Sequence, residues 1–297
     1  MNRLTAADFD QELLILFDAY VHGDLDRRGF LDRAGKYAVG GLTAAGLLAA
    51  LNPQFAAAQV VRQDDPRLRT ERVEVPSPSG HGSVKAFVAQ PAQATGRLPS
   101  VLVVHENRGL NPHIEDITRR LALEGFLAIA PDALTPLGGY PGDEDRARTL
   151  FGQLDQNKTR QDFLAVAAAV KARPDSTGRL GVVGFCYGGG IAHYLATQLP
   201  DLGAAVPFYG NHPPVEAAAQ VKAPLLVHLA GVDERINAAW PAYEAALKAA
   251  GARYTLHQYP GTQHGFNNDT TPRFDAAAAQ LAWARTLAFF RQHLSAG

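Results

Sequence analysis

The amino-acid sequence predicts an α/β fold, a mostly parallel sheet of eight strands with helices on both faces, preceded by an N-terminal helical leader. Three observations carry this expectation. Continuous apolar runs of strand length, such as "LPSVLVVHE", "FLAIAPD" and "APLLVHLAG", suit strands buried on both faces. These runs alternate with stretches of helical periodicity, as βαβ units require. The composition, 46% hydrophobic and 19% charged over 297 residues, suffices for one large core. The expected division is a leader at 1–58 and a single catalytic-type α/β domain at 59–297.

Within the leader, "TAADFDQELLILFDAYVHG" puts Phe9, Leu13, Leu16, Phe17 and Tyr20 on one helical face. Thr5 and Asp8 have capping-box spacing, and Gly23 is a helix stop. Arg27-Arg28 then precede Phe30-Leu31, an apolar small-residue run extends from Tyr37 to Leu51, and Ala56-Ala57-Ala58 offers an A-x-A cleavage site. The pattern resembles a twin-arginine export signal, which implies a periplasmic protein starting at Gln59. The alternative is a helical extension retained in a cytoplasmic protein, favoured by the length of the leader and by Asp26 and Asp32 beside the arginine pair. The apolar run is too short and too glycine-rich for a stable membrane span.

In the domain, "RTERVEVPS" and "GSVKAFVAQP" alternate with period two around the turn-rich "SPSGHG", as an antiparallel pair does. "LPSVLVVHE" is the next strand, and Asn111-Pro112 caps and opens a helix through "HIEDITRRLALEG". After the strand "FLAIAPD", the Gly/Pro-rich "LTPLGGYPGDED" reads as a loop. A helix follows from Thr159 to Arg173, then the strands "RLGVVGFC", "GAAVPFYG" and "APLLVHLAG". Pro241 opens a helix that Gly251 closes, "RYTLHQYPG" is the last strand, and Trp283, Leu287, Phe290 and Leu294 mark the face of the final helix.

Charge and cysteine usage exclude several classes. Lys and Arg number 28 against 29 Asp and Glu, with no basic stripe, so a nucleic-acid partner is not expected. One cysteine forms neither an internal disulfide nor a Cys-based zinc site, and no His pair has H-E-x-x-H spacing. No metal or other cofactor is expected, and the expected partner is a small molecule.

Ligands of open parallel sheets bind at the carboxyl ends of the strands. Four strand exits there carry chemistry: Glu106-Asn107, Cys186-Tyr187, Asp233 and His264. Gly184-Phe185-Cys186-Tyr187-Gly188 fits G-x-nucleophile-x-G, and Cys, acid, His is the chain order of the nucleophile-elbow hydrolases. In this pattern the flanking glycines permit a tight strand-to-helix turn. The turn sets the sulfur at a helix N-terminus, where a thiolate is stabilised. His264 is the expected general base and acid, and Asp233 its orienting carboxylate, with Glu234 as a neighbouring alternative. Glu106 follows a run of apolar strand residues and needs a partner if buried. It either takes the thiol proton or forms a salt bridge to Arg108 or Arg235. The backbone N–H groups of Tyr187 and Asn107 are the expected oxyanion donors. Arg108, Asn268 and Tyr209 are candidate substrate contacts.

Taken together, these motifs resemble the dienelactone hydrolase (carboxymethylenebutenolidase) family of α/β-hydrolases, from about Glu74 to Leu294. "VVHENRGLNPHIEDITRRLALEGFLAIAPD" is similar to the family's glutamate strand and following helix, "GVVGFCYGGG" to its cysteine elbow, "AGVDERI" to its aspartate loop and "YPGTQHGF" to its histidine loop. The resemblance implies that Cys186 attacks a lactone or ester carbonyl, with Glu106 helping to form the thiolate and His264 and Asp233 supporting hydrolysis of the acyl-enzyme. One departure concerns the substrate. Where dienelactone-cleaving members have an arginine four positions after the histidine, this chain has Asn268 in "HGFNND". A second family arginine corresponds loosely to Arg146 or Arg148. An ester, lactone or thioester other than the anionic dienelactone is therefore a candidate substrate.

Two other enzyme readings fit less well. A class I glutamine amidotransferase has an acid two residues after its histidine, where this chain has Phe266. A papain-like protease places its cysteine near the mature N-terminus. Outside catalysis, Cys186 would be a reversible thiol of a binding or redox-sensing protein, which leaves Glu106, Asp233 and His264 without a role.

Overall fold

A computed structural model describes residues 4–38 and 43–295. In the N-terminal segment the helices are α1 (Gln11–His22), α2 (Arg27–Ala34), α3 (Ala44–Leu51) and the single turn α4 (Phe55–Ala58). The domain continues as β1 (Leu68–Ser77), β2 (Gly82–Pro91), β3 (Leu98–Val104), α5 (Pro112–Leu123), β4 (Leu127–Pro131), α6 (Glu144–Phe151), α7 (Gln156–Ala172) and β5 (Ser176–Phe185). It ends with α8 (Tyr187–Gln198), β6 (Ala204–Phe208), β7 (Leu225–Val232), α9 (Glu234–Asn237), α10 (Trp240–Ala249), β8 (Tyr254–Gln263) and α11 (Ala276–Leu294).

The eight strands form one sheet in the order β1-β2-β4-β3-β5-β6-β7-β8. β1 and β2 pair antiparallel, β2 joins β4 antiparallel, and every pairing from β4 to β8 is parallel. Period-two alternation divides the central strands between two cores. Leu102, Val104, Leu180 and Val182 face one layer with Phe163, Val166, Leu195 and Leu247 of α7, α8 and α10. Val101, Val103, Val183 and Phe185 face the other, with Ile114, Ile117, Leu121 and Phe290 of α5 and α11. Strands buried on both faces explain the unbroken apolar runs.

Local signals set the helix ends. Asn111 caps α5 through its side chain, with Pro112 in the first turn. One element departs from expectation: the end of "LTPLGGYPGDED" opens α6, where the Asp143 carboxylate accepts from the Arg146 N–H. Ala147 and Phe151 are buried on its inner face, so the helix is held by packing beyond the Gly/Pro-rich segment.

The N-terminal segment has its own core, built on Leu13, Leu14, Phe17, Tyr20, Phe30 and Leu48. The Thr5–Asp8 capping box forms but opens only a short 3-10 turn, and Asp10 caps α1 instead. Gly23 ends α1 in the left-handed conformation at φ 89°. Arg27 and Arg28 form the first turn of α2. The apolar run from Tyr37 to Leu51 includes positions 39–42, which lie outside the described residues. No helix among the described residues is long and apolar enough to cross a membrane.

Candidate active site

Cys186 is the single residue between β5 and α8, at φ 53° and ψ −113°. A non-glycine residue at positive φ stores strain of roughly 1–3 kcal/mol and persists only where its surroundings enforce it. Two glycines do so here. A Cβ on Gly184 would stand 1.8 Å from the Gly188 carbonyl oxygen, and one on Gly188 would stand 2.2 Å from that of Val104. The close crossing of β5, β3 and α8 thus presents the sulfur at the carboxyl end of the sheet. The twelve-residue α8 adds the positive end of its dipole.

Asp233 follows β7 and His264 follows β8, and pairing of Val232 with Gln263 brings the two to the same level. His264 Nδ1 donates to Asp233 Oδ2 at 2.6 Å, with both side chains buried. This bond fixes the tautomer and leaves Nε2 free. Nε2 is buried and has no hydrogen-bond partner among the described residues. A ring nitrogen of His264, a ring nitrogen of His22 and the Cys186 sulfur all lie within 4.8 Å of one another. Burial by itself pushes the Cys186 thiol up, but the charges of the His264 and His22 imidazoles outweigh it and bring the pKa down to about 6. Conversely, burial disfavours the His264 cation, yet the sulfur's charge and the Asp233 bond raise its pKa above the usual histidine range.

Glu106 stands two residues beyond Val104, which pairs with Gly184, so the register sets it level with Cys186. Its carboxylate is held by Asn268, whose Nδ2 donates to Oε2 at 2.8 Å. The alternative read from the sequence, a salt bridge from Glu106 to Arg108 or Arg235, is not found among the described residues. Arg108 lies 3.8 Å from Glu144 and donates to the carbonyls of Asn107 and Val21. Arg235 lies 3.1 Å from His22 Nε2.

A cavity of about 640 Å3 opens beside the sulfur, lined by Cys186, Tyr187, Asn107, Tyr209, His22 and Arg235 among others. Tyr209, at φ 36°, has a buried hydroxyl near the Asn267 backbone, and burial raises its pKa well above the usual range. Arg108 and Asn268, the other two expected substrate contacts, do not line this cavity. They border a small void of about 30 Å3 beneath the N-terminal segment, together with Glu106. Arg148 is likewise taken up by that segment, its guanidinium 3.9 Å from the centre of the Tyr20 ring and bonded to the Tyr20 carbonyl.

His22 belongs to this site and was not singled out from the sequence. It is the last residue of α1, and its Nε2 lies 3.3 Å from Cys186 Sγ. No local signal marks it, because its partner is 164 positions away. Helical periodicity identifies the buried face of α1 but not what the polar end of the helix meets. Arg273 to Asp18 at 2.9 Å and Asn107 Nδ2 to the Val21 carbonyl at 2.9 Å dock α1 and its C-terminal end onto the domain, and Arg27 to Asp145 at 2.7 Å docks α2.

The Dienelactone hydrolase family model matches residues 84–294, which is most of the chain. The chain belongs to the dienelactone hydrolase family. It is thereby a carboxylic ester hydrolase of dienelactone hydrolase type on the α/β-hydrolase fold, as the motifs implied. A second model, YqhI-like, matches residues 1–38. The "Putative carboxymethylenebutenolidase" of Escherichia coli O157:H7 is 38% identical over 231 residues, covering 73% of this chain and 85% of that one. The "Putative hydrolase fragment YghX" of Escherichia coli (strain K12) is 48% identical over 114 residues, 38% of this chain and 97% of that one. Among solved structures, the "Putative Dienelactone Hydrolase" of Klebsiella pneumoniae subsp. pneumoniae MGH 78578 superposes with a TM-score of 0.67 at 33% identity. That match covers 75% of this chain and 99% of the Klebsiella chain. His22 lies outside the residues that the hydrolase family model matches.

Proposed function

We propose that the protein hydrolyses a small lactone or carboxylic ester with Cys186 as nucleophile, Asp233 and His264 as its supporting pair, and the cavity beside the sulfur as the substrate site. The observation that carries this reading is the buried His264, bonded to Asp233 through Nδ1 while its unpartnered Nε2 shares a site with the strained Cys186.

The thiolate attacks the carbonyl carbon, an S–C bond forms, and the carbonyl electron pair moves onto oxygen. The Tyr187 N–H, which has no acceptor within the first turn of α8, and the Asn107 N–H are suited to receive that oxyanion. Collapse expels the alkoxide, which takes a proton from the His264 imidazolium and leaves a thioester. Neutral His264 then deprotonates a water that attacks the thioester, and the acid departs with the thiolate restored. Asp233 stabilises the imidazolium in both stages.

Two of the cationic side chains named for a substrate carboxylate point elsewhere, Arg108 to Glu144 and backbone carbonyls and Arg148 to Tyr20, and Asn268 stands four positions after His264. Arg160 and Arg235 line the cavity instead, so a substrate carboxylate would be met by these two and not by the arginines of the family pattern. Hydrolysis of p-nitrophenyl acetate or an enol-lactone, lost on Cys186→Ala and on His264→Ala, tests the assignment. Wild-type rates in either variant would reject it.

A further inference from the structure

Building on the Cys186–His264 reading, we propose that the N-terminal segment supplies a second catalytic histidine, His22, which takes the thiol proton of Cys186 and holds the resulting thiolate. The geometry mirrors the pair already described. His22 Nδ1 donates to the Asp18 carbonyl at 2.8 Å and lies 3.3 Å from the Asp18 carboxylate, one helical turn back on α1. That contact fixes the proton on Nδ1 and leaves the Nε2 lone pair facing the sulfur at 3.3 Å. Asp18 is itself held by Arg273, whose guanidinium packs beside Gly265, next to His264. The two imidazoles meet edge to face, with ring centres 4.7 Å apart. Two Asp–His pairs, one from α1 and one from the ends of β7 and β8, therefore converge on one sulfur.

Three further observations favour catalysis over blockage. Glu106, implied by the family resemblance to generate the thiolate, is bonded to Asn268, and the sulfur's partner is His22 instead. His22 forms one wall of the cavity and does not fill it, since about 640 Å3 remains open beside Cys186. The segment is also anchored by buried and charge-assisted contacts, including Asn107 and Arg108 to the Val21 carbonyl immediately before His22.

The step balances. The S–H bond breaks, an N–H bond forms at His22 Nε2, and a thiolate–imidazolium pair results with its cation beside the Asp18 carboxylate. That proton stays on His22 through the cycle, while His264, protonated separately beside Asp233, gives its own proton to the leaving alkoxide and regains one from the attacking water. Several charged groups bear on this pair. On α1, Asp18 favours the His22 cation. Arg235, just after β7, donates towards the same Nε2 at 3.1 Å and must release it when the sulfur's proton arrives. Asp233 and His264 stand at the ends of β7 and β8, with the His264 ring against that of His22, and Glu106 and Arg108 lie on the loop after β3.

The test is the full-length chain in a chelator-containing buffer, carrying His22→Gln, His22→Ala or Asp18→Asn, each checked for an unchanged melting temperature. Two readouts apply: kcat/KM on p-nitrophenyl acetate, and the rate of Cys186 alkylation by iodoacetamide from pH 5 to pH 9, which needs no turnover. General-base contributions reach about 10²-fold or more, and His264 remains in these variants, so kcat/KM should fall at least ~10-fold. The alkylation midpoint should move to higher pH, and added imidazole should recover part of the His22→Ala loss. Unchanged alkylation and turnover in the His22 variants would overturn the inference, and faster turnover would show the segment to be a plug. The reading of Cys186 as nucleophile fails separately, if Cys186→Ala stays active.

Discussion

Gly184→Ala probes the elbow directly. An alanine Cβ would sit 1.8 Å from the Gly188 carbonyl oxygen, 2.2 Å from its carbon and 2.9 Å from the Gly189 nitrogen, all backbone atoms. Ordinary contacts of a Cβ lie at 3.4–4 Å, so the start of α8 must retreat by roughly 1.5 Å or β5 must bend by as much. A displacement of about 1 Å in a reacting group costs up to ~10²-fold in rate, and overpacking of this kind costs about 1–3 kcal/mol. The expected result is a kcat/KM on p-nitrophenyl acetate at least ~10²-fold lower. The melting temperature should fall by several degrees, at about 2–4 °C per kcal/mol for a chain of this size. Gly96→Ala is the matched control, because its Cβ meets nothing within 4 Å. Wild-type turnover and stability in Gly184→Ala would refute the claim that close packing at the elbow holds the sulfur in place.

Other outcomes follow from the same site. Asp233→Asn should keep the fold but lower kcat by about 10³–10⁴-fold, because the wrong His264 tautomer is then favoured; a loss under tenfold would count against the assigned role. Alkylation of Cys186 should rise with pH through a midpoint near 6, well below the thiol's unperturbed 9.0, and a midpoint above 8 would contradict the paired imidazoles. The sign follows from the depressed pKa: the thiolate pairing is present at neutral pH and is lost as pH falls through about 6. In a matched pair of lactones with and without a carboxylate, any preference for the anion should be lost on Arg160→Gln or Arg235→Gln, the two cations that line the cavity. A preference for the anion that survives in both variants would contradict that role.

The strands were legible because each one's burial is written locally. Runs such as Val101 to Val104 are apolar throughout, and the glycines around Cys186 announce a turn. Asp233 and His264 could be named because each follows a strand at the end where such sheets bind ligands. Helix α6 was missed since Gly138, Gly139 and Gly142 dominate the stretch before it, while its stability comes from Ala147 and Phe151 packing on distant residues. The same holds for Arg108 and Asn268. Their charge and amide chemistry were visible, but their direction is set by Val21, Glu144 and Glu106, which the sequence does not bring together. His22 is the clearest instance: its surroundings come from α1, β5, β7 and β8 at once, and no spacing rule links them.

The docking of α1 across the strand ends bears on biosynthesis. One imidazole neighbour of the sulfur is made before Cys186, on α1, and the other after it, following β8. A chain interrupted between Cys186 and His264 therefore carries the sulfur with at most one of these neighbours, and both are in place only after β8 has been made.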